Sequence, residues 1–198
     1  MITLADAADK NIAHIGIENL KITTNKSNSG MIAICTTYFT GSWIENIEIN
    51  LLSEKSIGIN VDHAFKGTGP YYMTLKNINI NGSNIESNVG IRFKSRDFEG
   101  VNMRRSANGW TIINSNIKGC GIGWEVLGEN HTSVGMKISN EIDSNTNYGV
   151  LMGRTNGTDF IKSSGNVFSG LSFKALPFST RTFPATFIEV IEKTTPPY

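Results

Sequence analysis

Apolar and polar residues alternate along this chain in short runs that keep returning. The first reads Ile17-Glu18-Asn19-Leu20-Lys21-Ile22, and it recurs at Ile44-Glu45-Asn46-Ile47-Glu48-Ile49, Leu75-Lys76-Asn77-Ile78-Asn79-Ile80 and Ile112-Ile113-Asn114-Ser115-Asn116-Ile117, with a degraded fifth copy at Ile138-Ser139-Asn140-Glu141-Ile142. Period-two alternation predicts a half-buried strand in each copy. In the first, Ile15, Ile17, Leu20 and Ile22 are expected to point inward, and Glu18, Lys21 and Thr23 outward. The apolar phase slips by one residue at Glu18-Asn19, so the strand must bend there. An Asn recurs at that bend as Asn46, Asn77 and Asn114. Asn tolerates the left-handed backbone of a turn, and stacked amides are expected to hydrogen-bond one another.

A glycine opening a second strand follows each copy. These glycines are Gly30, Gly58, Gly90, Gly123 and Gly149, leading into Met31–Ile34, Ile59–Val61, Ile91–Phe93, Trp124–Val126 and Val150–Met152. The steps between bend asparagines are 27, 31, 37 and 26 residues, and those between glycines 28, 32, 33 and 26. Two registers that drift together define a solenoid, in which each repeat buries its apolar face only against its neighbours. On the second strands Asn60 and Asp62, then Arg92 and Lys94, then Glu125 and Leu127 are expected to face outward. Opposite charges on adjacent strands contribute roughly 0.2–1 kcal/mol each, and the simple reading is a solvated ladder that fixes register.

Composition narrows the class. The net charge is +1 with 18% charged residues, without the basic excess of a nucleic-acid protein. No apolar run approaches the roughly 20 residues that span a bilayer, so membrane insertion is not expected. The start, Met1-Ile2-Thr3-Leu4-Ala5-Asp6, lacks the basic and apolar regions of a signal peptide. Cys35 and Cys120 fall three copies apart, which at the strand spacing places them about 14 Å from each other, too far for a disulfide. No Cys/His cluster has ligand spacing, and neither a metal nor a cofactor is expected. Residues 1–13 read as the edge of a preceding coil, so the chain is expected to start within a solenoid that runs to residue 153. Residues 154–198 are expected to form a last loose turn, around Phe160, Ile161, Val167 and Phe168, and a tail with one further strand at Thr186–Ile191.

Segments of unequal length join each second strand to the next repeat: Thr36–Trp43, Asp62–Tyr72, Lys94–Trp110 and Leu127–Ser133. Insertions in repeat proteins gather on one face, often the binding face. The third segment is the longest and most charged, and holds a possible short strand at Gly100–Met103. These segments concentrate aromatics, carboxylates and arginines, a set suited to an acidic polysaccharide: ring faces cover sugar faces, and Arg pairs with carboxylates. Tyr71, Tyr72, Arg96, Arg105 and Trp110 are the candidate substrate-binding residues. Hydrolysis needs two carboxyl groups flanking the scissile bond, for which Asp97 with Glu99, or Asp62 with Asp97, are candidates. β-Elimination needs a base and neutralisation of a uronate, for which His63, Arg104 or Tyr72 are candidates. His63 and His131 also occupy equivalent segments two repeats apart. The competing reading of Phe65, Phe98 and Trp110 is burial, pinning the segments down.

The Asn-bend strands at Asn19, Asn46, Asn77 and Asn114, with their glycine-led partners, resemble the right-handed parallel β-helix of the pectate-lyase-like superfamily. More narrowly, residues 11–153 resemble the β-helical body of phage tailspikes and tail-fibre depolymerases. The resemblance implies an all-β chain, a parallel β-helix of about five to six rungs with an irregular C-terminal tail. It further implies a homotrimer in a virion tail or outside the cell that binds a bacterial capsule or O-antigen and in many cases cleaves it. It transfers no catalytic residue, because the matched positions mark the fold. A virion-binding domain and a trimerisation module are not recognisable, which points to a piece of a longer protein. A non-catalytic receptor-binding or structural β-helix is the alternative expectation, and a secreted cellular polysaccharide lyase a third.

Overall fold

The computed structural model describes residues 2–4, 12–36, 39–62, 72–94, 96–98, 101–105, 107–126, 128–129, 131–140, 148–152, 154–156, 159–161, 163–175 and 186–190. Those residues form an all-β chain without a helix, dominated by one curled parallel sheet of 14 strands. The chain returns to the same three columns of strands on every pass. In the first, Ile17 pairs with Ile44, Ile44 with Leu75, Leu75 with Ile112, Ile112 with Ser133 and Ser133 with Phe168. Beyond the bend, a second column runs Ile22, Ile49, Ile80, Ile117, Ile138 and Phe173. The third runs Ile34, Ile59, Ile91, Trp124, Val150 and Ile188, with Ile2 ahead of it. Ile44, Ile49, Leu75, Ile91, Ile112, Ile117 and Trp124 belong to one continuous buried core.

The bend between the first two columns is a left-handed residue on every pass. Asn19, Asn46, Asn77 and Asn114 have φ of 58, 55, 53 and 47°. Their amides bond along the stack: Asn46 Nδ2 donates to Asn19 Oδ1 at 3.1 Å, and Asn77 Nδ2 to Asn46 Oδ1 at 2.9 Å. On the fifth and sixth passes the same place is held by Gly135 and Gly170, with φ of 66 and 61°. The pairing of Ile113 with Val134 and of Val134 with Ser169 fixes this register. The fifth repeat is therefore Thr132–Ile138, not Ile138–Ile142, and Asn140 is not its bend. Glycine does there what asparagine does earlier, since both enter the left-handed region cheaply. Two residues before the first column lies a second left-handed series, His14, Gly41, Tyr72, Gly109 and Gly165, aligned by the same register.

The glycine series of the third column needs one correction. Gly58, Gly90, Gly123 and Gly149 do align, but the register of Ile32 with Ile57 puts Ala33, not Gly30, in their line. Gly30 is a turn residue with φ of 73°. The aligned glycines lie inside the strands, where the following pass approaches closely. A Cβ at Gly90 would stand 2.5 Å from the Gly123 carbonyl oxygen and 2.5 Å from Ile117 Cγ2; at Gly58 the corresponding neighbours are Gly90 O at 2.6 Å and Ile80 Cδ1 at 2.9 Å. An isoleucine of the next pass thus fills the volume that a side chain would need.

At the first pass the expected inward set is only partly buried. Ile17 is in the core, whereas Ile15 and Leu20 are exposed, because Gly16–Thr23 pairs only on its Trp43–Asn50 side among the described residues. At the other end, Val167–Ser169, Ser172–Ala175 and Thr186–Val190 continue the three columns as parallel strands. Cys35 and Cys120 form no disulfide, and burial pushes the Cys120 thiol up to about 12.

Substitutions at two positions separate these roles. Gly135→Asn supplies the residue type that holds the bend on the first four passes and should leave stability within about 0.5 kcal/mol, while Gly135→Val should cost about 1–3 kcal/mol by forcing a branched residue to positive φ. Gly90→Val should cost at least as much through overpacking. Thermal unfolding reads both at about 2–4 °C per kcal/mol for a chain of this size; an equal loss for Gly135→Asn and Gly135→Val would contradict the bend assignment.

Candidate functional site

The residues singled out from the sequence separate into three groups. Glu99, His63 and Tyr71 lie outside the described residues. Asp62 closes the strand Ile57–Asp62, opposite Lys94 in register. Arg96 and Asp97 belong to Arg96–Phe98, Arg104 and Arg105 to Val101–Arg105, and the two strands form an antiparallel hairpin with Arg105 opposite Arg96. The short strand expected at Gly100–Met103 is thus Val101–Arg105. Backbone pairing brings Arg96, Asp97, Arg104 and Arg105 into one hairpin that follows directly on Asp62's partner, Lys94.

Tyr72 and Trp110 have opposite fates. Tyr72 is 73% exposed, its ring lying over Gly109, where a Cβ would meet it at 2.7 Å. Trp110 was expected at the substrate and is instead 0% exposed, its ring 5.0 Å from that of Phe93. The competing reading from the sequence, burial to pin the segment, describes it. His131 is likewise in the core, 4.7 Å ring to ring from Phe93. It links successive passes: the Trp110 N–H donates to His131 Nδ1 at 3.3 Å, and the His131 N–H donates to Asn166 Oδ1 at 2.9 Å. A buried polar side chain that satisfies a backbone donor is architecture.

The row expected to be a solvated charge ladder is nearly dry. Asn60, Arg92 and Glu125 occupy one register line, with Asn60 and Glu125 buried. Arg92 Nε donates to Glu125 Oε2, the two side chains being 27% and 5% exposed. Asn60 Nδ2 approaches Cys35 Sγ at 3.8 Å, while its Oδ1 has no hydrogen-bond partner among the described residues. The line is a paired and hydrogen-bonded seam rather than a solvent-facing site.

An open groove lies elsewhere, on the outer face of the second column. Its volume is ≈350 Å³, and Glu48, Asn50, Asn79, Asn81, Asn116 and Lys118 line it. Register explains the set. Lys21, Glu48, Asn79, Asn116, Lys137 and Ser172 form one outward row, and Thr23, Asn50, Asn81, Lys118, Ser139 and Lys174 the next. Lys21 Nζ lies 2.8 Å from Glu48 Oε1, and Asn50 Nδ2 donates to the same oxygen at 3.2 Å. These two hydrogen bonds, Lys21 first, hold the Glu48 carboxyl below its usual range, with the Lys118 charge adding to them. Each amide offers both donor and acceptor, and successive passes repeat them at the strand spacing of about 4.8 Å. Such a surface has the donors and acceptors to exchange paired hydrogen bonds with a polyhydroxylated chain laid across the strands. Sequence reading missed it because these asparagines looked like ordinary outward positions of an alternating strand.

Among the described residues no three His, Cys, Asp or Glu side chains gather as metal ligands. No protein-family model matches the chain, and no curated protein matches it. Among solved structures it is similar to the crystal structure of alginate lyase from Paenibacillus sp. str. FPU-7, with 15% identity, covering 82% of this chain and 73% of that one, at a TM-score of 0.37.

The dry seam makes a direct prediction. Arg92→Ala leaves Glu125 buried without its ion partner and should destabilise the chain by about 3 kcal/mol in denaturant unfolding. A loss below about 1 kcal/mol, the usual worth of an exposed pair, would show that the seam is solvated after all.

Proposed function

We propose that this chain is a glycan-binding right-handed parallel β-helix of about five to six rungs, the body of a phage tailspike-like protein that holds a bacterial capsule or O-antigen. The single observation that supports this best is the amide groove: Asn50, Asn79, Asn81 and Asn116, on three successive passes, in one open trough. A linear polymer laid across the strands meets one, then two, then one of these amides on the three passes. In this reading residues 1–153 are the helical body, and residues 154–198 its last turn and tail. The assembly is a homotrimer in a virion tail or outside the cell, with polysaccharide and not nucleic acid as its partner.

Cleavage, in the same proposal, belongs to the ends of the third-column strands. Asp62, Asp97 and Glu99 are the proposed acids for hydrolysis, and His63 or Arg104 the base for elimination, with Arg96, Arg105, Tyr71 and Tyr72 as neighbouring sugar contacts and no metal. The groove favours the alternative of binding without turnover. Its lining carboxylate is Glu48, which is already engaged by Lys21 and Asn50, whereas hydrolysis needs two carboxyl groups across one bond.

The test uses a panel of purified capsules and O-antigens, scored for binding and for release of reducing ends. Asn79→Ala/Asn81→Ala should weaken binding about thirtyfold, at about 1 kcal/mol per amide hydrogen bond lost, without unfolding the chain. Asp62→Ala/Asp97→Ala/Glu99→Ala should abolish any cleavage and leave binding intact. Binding to no glycan on the panel, or binding indifferent to the two amides, would contradict the proposal; binding without cleavage by a folded trimer would establish the non-catalytic form.

A further inference from the structure

The two outward rows that carry the groove are not electrically uniform along their length. On the early passes Lys21 is paired with Glu48. On the fourth to sixth passes the two outward rows read Asn116, Lys137, Ser172 and Lys118, Ser139, Lys174. Three lysines and no carboxylate occupy these six places, and all three lysines are exposed. Lys118 and Lys174 flank Ser139 in one row, two strand spacings or about 10 Å apart. Lys137 lies on the strand between them, two residues along and on the same face. The three side chains therefore surround Ser139, continuous with the amide end of the groove at Asn116 and Lys118.

We infer that Lys118, Lys137 and Lys174 form an anion-anchoring subsite for a carboxylated glycan, at the late-pass end of the groove. The inference rests on the reading of the groove as a glycan site and adds to it the charge of the ligand and its direction. A polymer bearing regularly spaced carboxylates is drawn to this end, while its neutral sugars lie over the asparagines. A nucleic acid is the other polyanion to weigh. Binding a single strand of it uses aromatic platforms on which bases stack, and the two rows contain no aromatic residue. Because these lysines are exposed, their attraction is screened by salt within about 8–10 Å at physiological ionic strength.

The experiment compares dextran with carboxymethyl-dextran, two chains of one backbone that differ in carboxylate. Binding of each to the full chain is measured at low and at physiological salt, with single-stranded poly(dT) as a third ligand. Wild type should hold carboxymethyl-dextran at least tenfold more tightly than dextran, and the preference should shrink with salt. Lys118→Gln/Lys137→Gln/Lys174→Gln should erase it. The substitutions are outward-facing, and an unchanged melting temperature confirms that the fold persists. Lys26→Gln/Lys55→Gln, exposed lysines off the two rows, should retain the preference and so excludes a net-charge effect. Equal binding of the two dextrans by wild type, a preference that survives the three-lysine variant, or tighter lysine-dependent binding of poly(dT) would each overturn the anchor. The amide groove is judged separately by Asn79→Ala/Asn81→Ala on the capsule panel, so the two readings can fail independently.

Discussion

Everything in this fold depends on one backbone conformation recurring at one place. Each pass must turn sharply between its first two columns while keeping the parallel register that stacks isoleucine on isoleucine. A left-handed residue does this in a single position. Most side chains cost about 1–2 kcal/mol there, so the choice falls to asparagine or glycine. Asparagine adds amide bonds along the stack, as between Asn19, Asn46 and Asn77. Glycine omits them but needs no space, and on the fifth and sixth passes it takes over. The aligned glycines of the third column solve a different problem, making room for Ile80, Ile117 and Ile138 from the next pass.

The same constraint creates the outer surface. Because the bend holds register, outward residues of the second column fall into straight rows, and their chemistry adds up over passes. Single asparagines at positions 50, 79, 81 and 116 would be unremarkable on an isolated strand; in register they line one trough. The third column uses its outward row differently. Arg92, Glu125 and Asn60 are drawn into a nearly dry seam, where the Arg92–Glu125 pair faces little water.

The bend and the repeat were legible in the sequence because asparagine is distinctive: few residue types recur at a fixed place in an alternating strand unless a backbone need selects them. Gly135 and Gly170 escaped the same reading because glycine answers many needs at once, and Asn140 offered a false match five residues away. Gly30 was misplaced for that reason too, its role in a turn mistaken for membership of the line that Ala33 occupies. Trp110 and His131 looked like site residues because their segments are polar and variable, but each stands immediately before a first-column strand, where the chain has already re-entered the core. The groove was hidden for a deeper reason. Its residues are 31 to 37 positions apart in neighbouring passes, and only the pairing register, a non-local quantity, tells which of many outward polar residues meet.

The central claim is that a glycan lies along the second-column rows. A crystal structure with an oligosaccharide cut from a capsule that the protein binds tests it most directly. The account predicts sugar rings over Asn50, Asn79, Asn81 and Asn116, with any acidic group toward Lys118, Lys137 and Lys174. Sugar bound instead beside Asp62 and the 96–105 hairpin, with these rows bare, would contradict it.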